Sequence, residues 1–263
     1  MSSMEIKLDS KYWNYIAEKM SKKYVNNPFF EYKSNEVTNL IKKWGSKKLN
    51  GKILKTDLYE EAVSHDDVLK NLINKNIYGI DISARVVRNA NKRNPKLKKL
   101  AVCDVKKISF KKNSFDLIIS TSTIDHFPEI NEALDELFRV TKKGGIMILT
   151  LENKHNIPLN LMCKIKKSFK KFNMETIYYD RCYSIKEAKR LVEKAGFKVT
   201  DESCIVNTPL FFPIIINSLY KRKTPKIVKE FLEKSIIVFD KIIKKNKFLT
   251  HKTGYFIALK CEK

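Results

Sequence analysis

An α/β fold with a mostly parallel, seven-stranded sheet covered by helices is what this sequence predicts, and two observations carry the prediction. Short apolar runs alternate with amphipathic helical stretches from about residue 52 onward. Two aspartates that close apolar runs, Asp81 and Asp104, stand 23 residues apart; that is the length of one strand-helix-strand unit and sets both at the same edge of such a sheet. At 263 residues, 43% hydrophobic and 31% charged, the chain has the material for a sizeable core, and a single domain with insertions accounts for its length.

In chain order, residues 1–50 carry two amphipathic stretches, 12–24 and 35–44, read as N-terminal helices placed to fold over a cleft. A core over 51–205 follows, with strands at 52–56, 77–81, 100–103, 115–121, 145–151 and 197–205. Helices are predicted between them at 60–74, 84–93, 130–140 and 184–195. The last is the best marked: Ile185, Ala188, Leu191, Val192 and Ala195 recur at helical spacing, Ser184 with Glu187 forms a capping signature, and Gly196 stops it. A helical lid is expected over 206–250, and residues 251–263 hold the final strand, 255–260. Two stretches exceed a minimal alternation: 154–173, with six lysines and no acid, and 207–250, which runs from LFFPIII into a long amphipathic pattern. Insertions beside strand ends are where open α/β folds build substrate sites.

The formal net charge of +24 would draw nucleic acid, anionic membrane or a polyanionic substrate. The lysines are nevertheless spread along the whole chain among Asn and Ile, as a compositional bias on solvated faces would spread them, and no aromatic-interleaved RNA-binding motif occurs. Five scattered cysteines without a CxxC pair indicate neither a zinc site nor a disulfide framework. The N-terminus lacks an apolar leader core and the longest apolar run, 210–216, is too short to span a bilayer, so the expected location is cytoplasmic. The sequence sets no oligomeric state.

A carboxylate at the end of the second strand suits an adenosine-containing cofactor, because an ionised Asp accepts from two ribose hydroxyls together. Asp81, followed by Ile82, has that place; capping the next helix is the plainer use of such a residue. Asp104 after the third strand is placed to accept from the exocyclic amine of adenine while the Val105 N–H meets a ring nitrogen, and a turn-forming Asp is again the alternative. The one-unit spacing of the pair favours the cofactor.

Four segments in order, IYGIDIS, DVKKISFKKNSFDLIISTSTIDHF, EALDELFRVTKKGGIMILT and YSIKEAKRLVEKAGFKV, resemble the successive motifs of class I S-adenosylmethionine (SAM) dependent methyltransferases, in the subgroup that includes small-molecule and quinone methylases. The resemblance runs from about residue 50 to 205, and TGYFIALKCEK resembles the family's last strand. It implies a Rossmann-like sheet in the order 3-2-1-4-5-7-6 with the last strand antiparallel, and SAM as cofactor. It further implies that Asp81 is the ribose-binding acid and Asp104 the adenine-side acid. Ser120 and Thr121 fall at the meeting of cofactor and acceptor, and Gly144 and Gly145 form the turn before strand five.

The first motif departs from the family pattern. Where a glycine-rich loop would let backbone N–H groups approach the amino-acid end of the cofactor, this chain reads KILKTDLYEEA, with no glycine between Gly51 and Gly79. LKTD with an acidic pair resembles a variant first motif of the same family. Lys55 or Thr56 is then expected to meet the methionyl carboxylate, and Asp57, Glu60 or Glu61 its ammonium.

Methyl transfer from a sulfonium needs alignment and desolvation, with a general base only where the acceptor is protonated. In STIDHF, His126 is the candidate base and Asp125 its orienting or acceptor-binding partner, against the alternative of a capping Asp beside a packed His. His65, His155 and His251 read as ordinary surface or loop residues. The predicted acceptor is a small or amphipathic molecule, with peripheral membrane contact through the basic amphipathic stretch an open alternative to a core-packed helix. A non-catalytic scaffold of the same fold and a nucleic-acid methylase are the rival readings. A nicotinamide-binding domain is disfavoured because GxGxxG is absent, and nothing in the sequence suggests a metal.

Overall fold

The computed structural model describes residues 9–23, 28–63, 68–69, 72, 76–95, 97, 99–158, 160–161, 181–209, 212–220 and 224–263. Seven strands form one sheet: β1 (Ile53–Lys55), β2 (Ile77–Asp81), β3 (Leu100–Val102), β4 (Phe115–Thr121), β5 (Thr141–Glu152), β6 (Lys198–Asn207) and β7 (Gly254–Glu262). Their order is β3-β2-β1-β4-β5-β7-β6. The first five run parallel, and β7 lies antiparallel between β5 and β6. This is the sheet of the class I methyltransferase fold, as the sequence predicted.

Period-two alternation explains how one strand set serves two cores. Ile53, Leu117, Ile146 and Ala258 face one cluster, while their neighbours Leu54, Ile118, Met147 and Ile257 face the other. The central strands are therefore apolar on both sides, which is why they read as continuous hydrophobic runs. On the first face lie α1 (Ser10–Lys23), α2 (Pro28–Gly45), the short α3 (Tyr59–Val63) and α4 (Ala84–Arg93); on the second lie α5 (Ile130–Val140) and α6 (Ile185–Lys194).

Local chemistry sets the helix ends where the sequence put them. The Glu187 N–H donates to Ser184 Oγ at 3.2 Å and the Ser184 N–H to Glu187 Oε2 at 2.7 Å, a complete capping box at the start of α6. The Ser184 N–H and hydroxyl, both donating to that carboxylate, hold the Glu187 carboxyl down at about 2. Gly196, at φ +101°, takes the left-handed step that ends the helix. Gly144 at φ +70° does the same for the turn inside the long β5.

The helix predicted over 60–74 begins at Tyr59 and is described only to Val63. Most of the lysine-rich stretch 154–173, Cys163 and His65 lie outside the described residues. The expected lid differs more. Residues 206–250 hold α7 (Phe212–Tyr220), α8 (Lys226–Ile243) and most of α9 (Lys247–Thr253), and these pack on α2 and β6. The cause is a buried polar knot: Tyr32 of α2 donates to Asp240 Oδ1 of α8 at 2.8 Å, Asn207 Nδ2 donates to the same oxygen at 3.0 Å, and the Asn207 N–H donates to Tyr32 Oη at 3.0 Å. Lys244 closes it by pairing with Asp240 and Glu36.

Register places the site. Lys55 stands opposite Gly79 and Ile119, and Asp81 opposite Val102, so the carboxyl ends of β1 to β4 finish at one edge. A Cβ at Gly79 would sit 2.6 Å from Leu58 Cδ2 and 2.7 Å from Leu100 Cδ2, so both leucine side chains would have to give way. Gly79→Ala is expected to cost about 1–3 kcal/mol by overpacking and to push the segment after β1 out of place. Urea denaturation beside a binding titration would register both effects.

Candidate functional site

A cleft of about 400 Å³ opens at that edge, within the size range of small-molecule sites. Thr56 and Asp57 line it after β1, Asp81, Ile82 and Ser83 after β2, Asp104, Val105 and Lys106 after β3, and Thr121, Ser122, Thr123 and His126 after β4. From α1, Trp13, Ile16 and Ala17 close one side, and Lys33 of α2 and Tyr255 of β7 complete it. Residues of both N-terminal helices thus line the cleft. No described residue of 206–250 lines it.

Asp81 is fixed by two backbone donors, the Ser83 N–H to Oδ1 at 2.8 Å and the Leu58 N–H to Oδ2 at 3.1 Å. Each carboxylate oxygen carries a second lone pair, so both remain able to accept from a ligand. Burial, and then the nearby Asp57 carboxylate, push its carboxyl up to about 7. Asp104 is held by the Lys106 N–H at 2.9 Å, the turn bond that was its alternative reading, while its side chain still borders the cleft. Ser122 has φ +51°, uncommon for a non-glycine residue, and its N–H donates to Thr150 Oγ1 at 3.0 Å.

Four residues expected at the site, Lys55, Glu61, Ser120 and Asp125, stand behind its wall. Lys55 is 1% exposed and pairs with fully buried Glu61 at 2.9 Å, while its Nζ also donates to the Asp57 carbonyl at 2.5 Å. Burial alone would lower the Lys55 pKa, but Glu61, Asp57 and Glu60 together overcome that and raise it. It is an internal strut under the glycine-free segment and does not line the cleft, and neither does Glu61, which is paired with it. Ser120 is fully buried and accepts from Thr56 Oγ1 at 3.0 Å. Asp125 is also fully buried, its Oδ2 accepting from the Glu152 N–H at 3.0 Å, so it anchors the Ile124–His126 turn to β5 instead of meeting an acceptor. His126 does line the cleft, its ring 5.7 Å from that of Trp13. His155 is exposed in a turn, whereas His251 is half-buried in α9.

Lys33 was not predicted. Its Nζ lies 3.0 Å from Glu60 Oε1, setting a cation and an anion side by side at the cleft beside Asp57. Attraction to Glu60 raises the Lys33 pKa against burial, and Lys33 and Lys55 hold Glu60 low against its own burial. Nothing local marks Lys33, since only the docking of α2 brings it there. Trp13 had a weak signal, the YWNY aromatic run of the first helix. Among the described residues no cluster of His, Cys, Asp and Glu could hold a metal ion.

Comparison with known proteins adds findings of three kinds. Residues 62–149 match the methyltransferase-domain family. Over 158 residues the chain is 30% identical to an uncharacterized protein of Methanocaldococcus jannaschii, covering 51% of this chain and 60% of that one. Over 90 residues it is 36% identical to 2-methyl-6-phytyl-1,4-hydroquinone methyltransferase of Synechocystis, covering 32% of this chain and 28% of the other. The matches thus span less than two thirds of these relatives' length. Among solved structures, a SAM-dependent methyltransferase of Thermotoga maritima superposes with a TM-score of 0.57 at 16% identity, covering 95% of this chain and 98% of that one. Phosphoethanolamine N-methyltransferase 2 of Haemonchus contortus, in complex with S-adenosyl-L-methionine, does so at 0.55 and 17%, covering 89% and 56%. At these identities the superpositions speak for the fold.

Proposed function

We propose that this chain is a class I SAM-dependent methyltransferase, as its sheet order and the domain match at residues 62–149 support, and that it transfers a methyl group from SAM to a small or amphipathic acceptor in the cytoplasm. The observation that carries the reading is the convergence of Asp81, Asp104 and Val105, from two neighbouring strand tips, on one cleft. Asp81 would accept from the ribose hydroxyls, with Ile82 against the adenosine, and Asp104 and Val105 would meet the adenine edge. At the amino-acid end, Lys33 offers a cation for the carboxylate, and Asp57 with Glu60 offers anions for the ammonium. Side chains supply here what a glycine-rich loop supplies through backbone N–H groups. Thr56 and Thr121 border the same space.

Bound SAM would supply an electrophilic methyl group on a sulfonium. The protein's part is to align the acceptor, exclude water and, for a protonated acceptor, take up its proton. His126 is placed for that proton, with Trp13 packed on its ring, and the buried Asp125 holds the turn that carries it. The quinol and phosphoethanolamine named in the relatives' descriptions fit the acceptor class proposed.

Calorimetric titration of the full chain with SAM and S-adenosylhomocysteine tests the reading. Micromolar binding of both is expected; an empty titration supports the scaffold alternative. The pH dependence is a sharper form of the test. The ribose diol prefers the ionised carboxylate, and the Asp81 carboxyl lies at about 7 in the free protein, so affinity should rise about tenfold from pH 6 to pH 8. Stability of the free protein runs the other way. The raised pKa favours folding at low pH, and that contribution is lost as pH climbs from the ordinary Asp value through 7. Asp81→Asn should flatten both profiles.

A further inference from the structure

The last helices carry a second surface that the methyl-transfer reading does not use. On α8, Ile227, Phe231, Val238 and Ile242 follow one another at spacings of four, seven and four, which keeps them on a single face. The opposite face, with Ile236, Asp240 and Ile243, is buried against the domain. The outward stripe is strongly exposed, Ile227 at 76% and Phe231 at 69%, and Phe248 of α9 continues it at 66%. Exposed lysines flank it: Lys234 and Lys241 stand one step to the side of the stripe, and Lys226 and Lys247 lie near its ends. From Lys226 to Thr253 there are eight lysines against three acids.

We infer that this face of α8 and α9 docks on an anionic lipid bilayer, lying in the interface with Phe231 and its neighbours inserted and the lysines against the headgroups. The charge arrangement selects that occupant. A second copy of the chain would bring the same lysines together on a protein already at +24, and an acidic protein groove would have to be greasy along the helix and anionic on its rims. A bilayer surface supplies both. Eighteen residues of helix lie about 27 Å along such a surface, and among the described residues no helix is long and apolar enough to cross it. Docking would set an amphipathic acceptor beside the protein, because α9 leads directly into β7, whose Tyr255 borders the cleft. The inference does not depend on the identity of the transferred group.

Co-sedimentation of the full chain with phosphatidylcholine vesicles, with and without one third phosphatidylglycerol, tests it, with SAM titration of each variant as a control for folding. Binding is expected to the anionic vesicles only, to fall at least tenfold in Phe231→Ser/Val238→Ser and in Lys234→Glu/Lys241→Glu, and to weaken at 0.5 M salt, while SAM affinity stays unchanged. No sedimentation with anionic vesicles, or equal sedimentation of the variants, would overturn it. So would light scattering that shows a dimer of the wild type dissociated by Phe231→Ser/Val238→Ser, since a second copy would then be the occupant. Absence of SAM binding with vesicle binding intact would sink the methyltransferase reading and leave this one standing.

Discussion

Asp81→Ala is expected to weaken SAM binding by at least a hundredfold in a calorimetric titration. The proposed contact is a pair of hydrogen bonds from ribose hydroxyls to one ionised carboxylate, each worth about 1.5–3 kcal/mol when the acceptor is charged. The substitution also releases the Leu58 and Ser83 N–H groups, which the carboxylate holds at 3.1 and 2.8 Å, so the loop after β1 loses its tie to β2. Asp104→Ala should cost less, about tenfold, since its carboxylate would accept one hydrogen bond, from the exocyclic amine, and not two. Wild-type affinity in Asp81→Ala would mean that adenosine, if bound, lies elsewhere.

Lys55→Met should lower the stability of the fold by about 3–5 kcal/mol, the cost of leaving one member of a buried ion pair alone. Glu61, fully buried, would keep no cation at Nζ distance and would have to take up a proton. Pairing the change with Glu61→Leu should recover most of the loss, because a well-packed apolar pair replaces a buried salt bridge at little net cost. The midpoint of urea denaturation distinguishes the two variants. Because the Lys55 pKa is raised, its contribution is fully present below the ordinary lysine value and fades only as pH climbs through the folded one, so the difference should be constant from pH 6 to pH 9. A single variant within 1 kcal/mol of wild type would contradict the strut.

Periodicity made the scaffold readable. The double-faced strands β1, β2, β4 and β5, the box at Ser184 and Glu187, and the placement of Asp81 and Asp104 all follow from patterns within a few residues. What failed was the direction of polar side chains at strand ends. Lys55 and Ser120 are polar residues at the tips of β1 and β4, Asp125 lies in the turn just beyond β4, and polarity at such places reads as contact with a ligand. Their partners, Glu61, Thr56 and the Glu152 N–H, are supplied by the surrounding fold, which turns all three inward. Lys33 failed in the opposite sense: it is one lysine among many on an amphipathic helix, and only the seating of α2 distinguishes it. The insertion at 206–250 was read as a lid because insertions near strand ends commonly are, but the Tyr32, Asn207 and Asp240 knot fastens it to α2 and β6.

That fastening has a mechanical corollary. Tyr32 and Lys33 are consecutive residues of one rigid rod, the first clamped to α8 and the second projecting beside Glu60 at the cleft. A displacement of α8 that carried Tyr32 with it would carry the neighbouring Lys33 as well, and with it the pairing to Glu60. The seating of the outer helix and the charge balance at the cleft thus share one helix, joined through two adjacent side chains.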